Sequence, residues 1–316
     1  MTTIVNTPVV FIIFNRPDDA VKVFEQIALA QPRRLFVIAD GPRNDDEAAR
    51  CAATRAIIDR VDWECDVRTN FSDSNMGCRR RIMSGLDWVF DQVDEVIILE
   101  DDCVPDQSFF PYCDAMLERY RDDTRFMMVC GTNYLKDKLD IPETYTYSQF
   151  FAVWGWATWK RAWKLYDRDM EFWPRYRDSG QLSGIYPSER VCKWLTWMFD
   201  HIHQMDSWAT PWTYTCMFNN ALSIVPRVNL ISNIGIEGAH FRAANHEYLS
   251  MPTFSLNTTA ITHPTQVFPD QRYDGPFFAN STLFTVPSWP LWRRVAGKVK
   301  RALMKAAGIR GTAPVK

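Results

Sequence analysis

The apolar positions of the first hundred residues alternate between two patterns. Four short segments have the length and composition of strands: 8–14, 35–39, 64–68 and 96–99. Between them, apolar residues recur at helical spacing, as in Val21, Phe24 and Ile27. This β-α-β-α-β-α-β order predicts an α/β fold with a Rossmann-like, mostly parallel sheet and helices on both faces.

Polar residues follow three of the predicted strands at the point where each strand ends. They are Asn15, Arg16, Asp40, Glu100, Asp101 and Asp102. The carboxyl ends of parallel strands share one edge, and ligands bind there where the strand order reverses. We therefore expect these side chains to converge on one site.

The run Glu100-Asp101-Asp102 places three carboxylates in succession after an apolar strand. Buried together they would repel one another, and a cation stabilises such a group. Mg²⁺ or Mn²⁺ takes one or two carboxylates and fills its other positions with phosphate and water, which suits a diphosphate leaving group. The alternative is a solvated strand end, with Asp106 capping a helix near Phe109.

The second half of the chain is less regular and rich in tryptophan. Nine of the 13 tryptophans lie between Trp154 and Trp212, and most of these are expected to pack in the core. Trp156 and Trp208 are candidate sugar platforms, because the C–H faces of sugars are apolar. An irregular surface wrap is predicted over residues 246–287, where Pro, Thr, Phe and Asn are frequent.

The strand followed by Glu-Asp-Asp, with Arg16 and Asp40 at the earlier strand ends, resembles the GT-A glycosyltransferases, which use nucleotide sugars. The resemblance covers residues 8–240 and is to family-two-like bacterial enzymes and the inverting N-acetylglucosaminyltransferase I group. It implies a catalytic domain over 1–245. Residues 1–135 would form its nucleotide-sugar half and 136–245 its Trp-rich, acceptor-side half.

The resemblance implies a role for each residue of the acidic run. Asp102 would be the direct ligand of Mn²⁺ or Mg²⁺, and Glu100 and Asp101 would lie near the ribose and the donor sugar. Arg16 would contact the nucleotide or the diphosphate, with Asn15 beside it. Asp40 would contact the nucleotide base.

Two further segments match the donor side of that family. Gly77 and Arg80 lie in the helix start Asn75-Met76-Gly77-Cys78-Arg79-Arg80, which resembles the segment packed beside the diphosphate. A helix N-terminus with arginines nearby suits an anion on physical grounds, although a solvated helix face explains the arginines equally well. The Gly155-Trp156 turn resembles the one that lines the donor and acceptor cleft.

Asp206 and His240 are the remaining candidates. An inverting transfer needs a carboxylate that deprotonates the acceptor hydroxyl, and Asp206 resembles the family residue that does so. The alternative is that Asp206 caps a helix beginning at Ser207. His240 resembles a late histidine that some members place on the metal or diphosphate, whereas a lone histidine among small residues is more often a surface group.

Charge is distributed unevenly along the chain. From Gly275 onward there are eight cationic and no acidic residues, so the preceding part carries a net charge of −10. This argues against a general nucleic-acid binder. Residues 288–316 have the pattern of a basic amphipathic helix that docks on a membrane surface, unless the helix packs on its own domain.

The cysteines and the hydropathy of the chain indicate the cellular compartment in which the protein is expected. The eight cysteines show no CxxC pairing and no secretory signal is visible. No apolar stretch approaches the roughly 20 residues of a membrane span. These features predict reduced cysteines in a cytoplasmic protein, attached peripherally at the inner face of the membrane.

These patterns together favour an inverting, metal-dependent glycosyltransferase. It would move a sugar from a nucleotide-diphosphate donor, expected to be a UDP-sugar, to a hydroxyl of a glycan or lipid-linked acceptor. The rival hypothesis is a non-catalytic, GT-A-like protein that binds carbohydrate or membranes. That hypothesis rests on the basic tail and the aromatic region and needs no intact acidic run.

Overall fold

A computed structural model describes residues 5–186, 188–235 and 247–286 of the 316-residue chain. Ten strands lie in these ranges: β1 (Val9–Ile13), β2 (Arg34–Ala39), β3 (Asp66–Phe71), β4 (Glu95–Glu100), β5 (Cys103–Pro105), β6 (Phe126–Cys130), β7 (Tyr145–Ser148), β8 (Trp156–Trp159), β9 (Leu222–Pro226) and β10 (Ile231–Asn233). Eight of them form one sheet in the order β3-β2-β1-β4-β8-β6-β9-β7, and β5 pairs with β10 in a separate antiparallel ladder.

Six of the eight strands in the main sheet point the same way. The strands β1 to β4 are mutually parallel, and β6 is parallel to β9. Strand β8 runs antiparallel between β4 and β6, and β7 is antiparallel to β9 at the edge. The predicted α/β class with a mostly parallel sheet is confirmed, and the two antiparallel strands were not predicted.

The helices connect and cover these strands. Three of them lie between the predicted strands, as expected: α1 (Pro17–Ala30), α2 (Asp45–Arg55) and α3 (Cys78–Phe90). The later helices are α4 (Phe109–Arg119), α5 (Lys160–Trp163), α6 (Trp173–Asp178), α7 (Leu182–Ile185), α8 (Glu189–Asp200), α9 (Ala209–Phe218) and α10 (Gln271–Asn280). A 3₁₀ turn over Ala56–Arg60 follows α2.

Helices pack on both faces of the sheet. On one face α3 lies against β2, where the Trp88 ring meets Phe36 edge-on at 5.4 Å between centroids. Gly85 permits this approach, because a Cβ there would lie 2.6 Å from the Ile38 side chain. On the other face α4 lies against β8, and the indole of Trp159 donates a hydrogen bond to the Leu117 carbonyl at 3.1 Å.

The segment 247–286 contains a helix that the sequence did not predict. Two buried aspartates of this segment join α10 to the edge strand β7. Asp270, the N-cap of α10, accepts a hydrogen bond from the Thr146 hydroxyl at 2.6 Å. Asp274 accepts one from the Ser148 hydroxyl and another from the Gln149 amide at 3.1 Å. These contacts cover an edge strand that would otherwise expose unpaired backbone groups.

The sheet and this C-terminal segment belong to the compact unit Met1–Phe284. Within the described ranges, no helix has both the length and the apolar character needed to cross a bilayer. All eight cysteines are free thiols. His240 and the predicted basic helix over 288–316 lie outside the described residues.

Candidate functional site

The strand order reverses beside β1. The chain places β2 and β3 on one side of β1 and then crosses over to add β4 on the other side. In open α/β sheets, ligands bind in the crevice beyond the carboxyl ends of the strands at such a point. Arg16 follows β1, and Glu100 is the last residue of β4, so both of the predicted segments flank this crevice.

The guanidinium of Arg16 bridges two carboxylates of the acidic run. Its Nη2 lies 2.5 Å from Oδ1 of Asp101, and its Nη1 lies 2.8 Å from Oδ2 of Asp102. The other oxygen of Asp101 accepts a hydrogen bond from the Phe14 amide at 3.1 Å. Two of the five N–H groups of a guanidinium are thereby engaged, and the Arg16 side chain remains 25% exposed.

Three carboxylates share this one guanidinium. Burial raises the pKa of Glu100, and the charges of Asp102 and Asp101 raise it further. Burial also raises the pKa of Asp101, although Arg16 opposes the effect. For Arg16, burial lowers the pKa, but the two aspartates outweigh it and the net shift is upward. No described residue donates a hydrogen bond to the Glu100 carboxylate, so its ionised form is destabilised here in the absence of a further cationic group.

Asp102 is the carboxylate of this run that fits a metal ion. Its side chain is 14% exposed, and its Oδ1 has only long contacts, from Asn233 at 3.3 Å and the Cys103 thiol at 3.4 Å. Within the described ranges, no group of three or more His, Cys, Asp or Glu side chains is arranged to hold a metal. The protein would thus supply few ligands, as Mg²⁺ permits when phosphates and water supply the others. A divalent cation would stabilise the ionised forms of these closely spaced carboxylates, so the residues present fit such an ion.

Strand β10 forms a wall of this cluster that the sequence analysis missed. The Ile234 amide donates a hydrogen bond to the backbone carbonyl of Asp102 at 2.8 Å. A Cβ at Gly235 would lie 2.2 Å from Oδ2 of Asp102 and 2.9 Å from Nη1 of Arg16, so a larger residue there would displace both groups. No local sequence signal could reveal these neighbours, because Asn233 is 131 residues away from Asp102.

The structure places Asp40 at the end of β2, where it holds two loops together. Its carboxylate accepts hydrogen bonds from the amides of Gly41, Met76 and Gly77 and from the Asn75 side chain, at 2.8 to 3.1 Å. A carboxylate offers about four acceptor sites, and Asp40 is only 6% exposed. In this structure Asp40 therefore positions the start of α3, and its contact with a nucleotide base stays a prediction.

Asp206 lies at the N-terminus of α3, 128 residues away in sequence. Its two oxygens accept hydrogen bonds from the amides of Cys78 at 2.8 Å and Arg79 at 2.9 Å. Asp206 does not cap the helix that follows it, since α9 begins at Ala209 without a side-chain cap. The carboxylate is exposed, so it caps a distant helix and is still accessible to substrate.

Two predicted donor-site residues lie near these groups. Asn15 donates a hydrogen bond to Glu47 at 2.7 Å, and the Arg43 guanidinium lowers the pKa of Glu47 to about 2 by hydrogen bonding to it. Arg80 is exposed on α3, and its guanidinium has no hydrogen bond or ion pair within residues 5–186, 188–235 and 247–286. Arg80 is therefore available to an anion, whereas Asn15 is held by α2.

The prediction that Trp156 and Trp208 form a sugar platform is wrong. Trp156 is 0% exposed and Trp208 is 3% exposed. Their rings stack on each other at 5.4 Å between centroids, and Trp212 packs against Trp156 at 5.5 Å. Because β8 lies inside the sheet between β4 and β6, the Trp156 ring belongs to the core under α9.

Comparisons with known proteins find only distant similarity. No family model matches this chain, and no curated protein matches it significantly. Solved structures with partial similarity include an active-site mutant of LgtC (TM-score 0.34, 14% identity, 54% of this chain and 65% of that chain). They also include the galactosyltransferase LgtC with donor and acceptor sugar analogs (TM-score 0.32, 15% identity, 54% and 66%).

A UDP-glucose pyrophosphorylase complexed with UDP-glucose is a further structural neighbour (TM-score 0.27, 9% identity, 46% of this chain and 64% of that chain). This chain spans slightly less than two thirds of each of these three chains. The TM-scores are low, so the function proposed below rests on the residues of this chain.

Proposed function

We propose that the protein is a glycosyltransferase that moves a sugar from a nucleotide diphosphate to a hydroxyl of a glycan or lipid-linked acceptor. One observation carries this proposal: Arg16 bridges Asp101 and Asp102 at the point where the strand order reverses, beside the unpaired carboxylate of Glu100. An arginine and closely spaced carboxylates at one crevice suit a diphosphate that arrives with a divalent cation.

The diphosphate would bind between Arg16 and α3. Arg16 keeps three of its five N–H groups free of the two aspartates and is partly exposed. The first two amides of α3 are occupied by Asp206, so anion binding from this helix depends on Arg80. Asp102 would hold Mn²⁺ or Mg²⁺, which when bound neutralises charge that develops on the leaving diphosphate.

Asp206 is our candidate for the base of an inverting transfer. The acceptor oxygen forms a bond to the anomeric carbon while the bond from that carbon to the diphosphate oxygen breaks. The acceptor proton passes to Asp206, and the bonding electron pair leaves with the nucleotide diphosphate. A carboxylate oxygen that accepts one backbone hydrogen bond retains a second lone pair, so the capping contacts to α3 leave Asp206 able to accept a proton.

The identity of the donor and the membrane association remain expectations from the sequence. A UDP-sugar is the donor that the family resemblance implies, and Glu100 would lie nearest its ribose and sugar. Asp101 was expected beside it, but this carboxylate is 2% exposed and bonded to Arg16 and the Phe14 amide, so it would position Arg16 instead. Peripheral attachment to a membrane rests on the cationic residues after Gly275. Attachment would bring the catalytic crevice to a lipid-linked acceptor.

A turnover assay tests the proposal. Purified protein is incubated with a panel of UDP- and GDP-sugars and Mn²⁺, and the release of nucleoside diphosphate is measured. We expect release from at least one donor, lost on Asp102→Asn and retained on the matched control Asp122→Asn, an exposed aspartate outside the crevice. Equal release by wild type and Asp102→Asn would contradict the proposal, as would no release from any donor.

A further inference from the structure

A cavity lies beyond the carboxyl end of β6, apart from the crevice at Arg16. Its volume is about 360 Å³, within the range of roughly 300–1,000 Å³ that small-molecule sites occupy. The loop after β6, the segment that begins at Glu247 and the end of α10 line it. Because β6 and β4 are both antiparallel to β8, this cavity and the acidic run lie at the same edge of the sheet.

Three aromatic side chains line part of the cavity: Tyr134, Tyr248 and Phe277. The Tyr134 ring stacks on Phe277 with 5.0 Å between centroids and meets Tyr248 edge-on at 4.9 Å. The Tyr248 hydroxyl is fixed by a hydrogen bond of 3.0 Å to Ser281. Aromatic rings beside fixed polar groups are the surface on which the C–H groups of a sugar ring pack.

Four charged side chains line the cavity, and two of them are already paired. Arg272 lies 2.8 Å from Asp270 and 3.7 Å from Glu143, neither of which lines the cavity. Glu247 accepts hydrogen bonds from the hydroxyl and the amide of Thr282, at 2.6 and 3.3 Å. The Nη1 group of Arg272 has no hydrogen bond or ion pair among the described residues, and the side chain is 52% exposed, so this guanidinium still offers cationic donors to a ligand.

The other two charged groups are the ammonium groups of Lys136 and Lys138. In the part of the chain that the structure describes, neither ammonium has a hydrogen bond or an ion pair within 4.0 Å; the charge of Lys136 contributes a small lowering of the pKa of Glu247. The free charged donors of the cavity are therefore cationic. Unpaired ammonium groups and aromatic side chains in the lining of one cavity match a sugar that carries a negative charge.

The backbone that carries these lysines is fixed relative to the acidic run. Lys136 has a positive φ of 66°, and its carbonyl accepts a hydrogen bond from the Asn229 amide at 2.9 Å. The Asn229 side chain in turn donates to the Ile231 carbonyl at 2.7 Å. Ile231 begins β10, whose last residue, Asn233, contacts Asp102. One short segment thus supports both the cavity and the metal-binding carboxylate.

We propose that this cavity binds a carboxylate-bearing sugar residue of the acceptor, with its carboxylate on Lys136 and Lys138 and its ring among the aromatic residues that line the cavity. The role as an acceptor site rests on the proposed transferase function. The binding of an acidic sugar does not, because the cavity residues are separate from the donor crevice.

The test measures binding of glucuronate by NMR saturation transfer to the full chain, without nucleotide or metal. We expect glucuronate to bind, glucose and inorganic phosphate to bind at least tenfold more weakly, and the double variant Lys136→Ala, Lys138→Ala to lose at least tenfold in affinity for glucuronate. Lys164→Ala is the matched control, since Lys164 is exposed, has no ion pair among the described residues and lies outside the cavity. This control should bind glucuronate like wild type.

Three outcomes would overturn the inference: no glucuronate binding by wild type, equal binding by the double variant, or phosphate binding as strong as that of glucuronate. Titration of UDP and of GDP with Mn²⁺ in the same samples separates this inference from the proposed function. Glucuronate binding without binding of either nucleotide would refute the transferase but not the proposed sugar site in the cavity. Nucleotide binding without glucuronate binding would refute only the sugar site.

Discussion

Replacing Asp274 by asparagine should change how the stability of the protein depends on pH. Asp274 lies on α10, is 0% exposed and accepts hydrogen bonds from Ser148 and Gln149. Burial raises its pKa from 3.8 to about 7, against the effect of these two donors. The folded state therefore holds a proton on this carboxyl over a pH range in which the unfolded chain has released it.

The sign and size of the effect follow from this difference in pKa. Below about pH 4 both states are protonated, and the contribution of Asp274 to stability is fully present. As the pH rises to about 7 the unfolded state gains from ionisation, so the free energy of unfolding falls by about 4 kcal/mol, at about 1.4 kcal/mol per unit. Asparagine keeps a carbonyl acceptor for one of the two donors and does not ionise, so the variant lacks this decline.

Urea unfolding of wild type and Asp274→Asn at about pH 5 and about pH 8 measures the effect. The free energy of unfolding of wild type should fall by about 2.5 kcal/mol more than that of the variant between the two conditions. Asp270→Asn is the matched control on the same helix. Although burial acts to raise the pKa of Asp270, its bonds to Arg272 and Thr146 outweigh this and hold the pKa below its ordinary value, so its contribution is constant between these conditions. Parallel profiles for wild type and Asp274→Asn would refute the reasoning.

Three further substitutions test the site and the core. Asp206→Asn should lower turnover by about 10²-fold or more while leaving UDP binding intact, since general-base catalysis contributes about 10²–10⁴-fold, and near-normal turnover would exclude Asp206 as the base. Gly77→Ala should destabilise the protein in urea by about 1 kcal/mol more than Gly180→Ala. Both glycines have positive φ, but only at Gly77 would the added Cβ contact Asp206, at 2.9 Å. Equal losses of stability in the two variants would contradict the role of Asp206 as the cap of α3. Tyr120→Phe should lower the free energy of unfolding by about 1–3 kcal/mol, because its buried hydroxyl bonds to two other tyrosine hydroxyls, and an unchanged thermal midpoint would contradict this.

Strands β1, β2 and β4 could be predicted because they are buried on both faces. All five residues of β1 are buried, and the apolar run before Glu100 gives β4 in the same way. The parallel order then placed Arg16 and the acidic run at one edge, and the structure joins them through two ion pairs. The apolar pattern of the strands and the rule that parallel strands share one carboxyl edge were sufficient to predict this part of the site.

The antiparallel strands could not be predicted because they are short and their partners are distant. Strand β8 contains Trp156 and Trp159, and nothing in its four residues specifies a position between β4 and β6. The hypothesis of a Trp156 sugar platform was wrong for this reason. Aromatic residues occur in cores as well as in sugar sites, and only the tertiary neighbours distinguish the two.

The neighbours of the predicted carboxylates could not be predicted from the sequence either. Asp206 was identified as a candidate, but its partners at the start of α3 are 127 and 128 residues away. Asp40 was predicted to contact the nucleotide base, whereas in the fold its carboxylate accepts hydrogen bonds from four donors of the protein. A sequence shows which residues can carry charge, but the donors that satisfy that charge depend on how loops meet.

Calorimetric titration of UDP tests the central claim most directly. If the crevice between β1 and β4 is a nucleotide-sugar site, UDP binds wild type in the presence of Mn²⁺ and at least tenfold more weakly without it. Both Asp102→Asn and Arg16→Gln should abolish the metal-dependent part, and Asp122→Asn should leave it unchanged. UDP binding that is independent of Mn²⁺ and of both residues, or no binding at all, would contradict the account and favour a non-catalytic carbohydrate-binding protein.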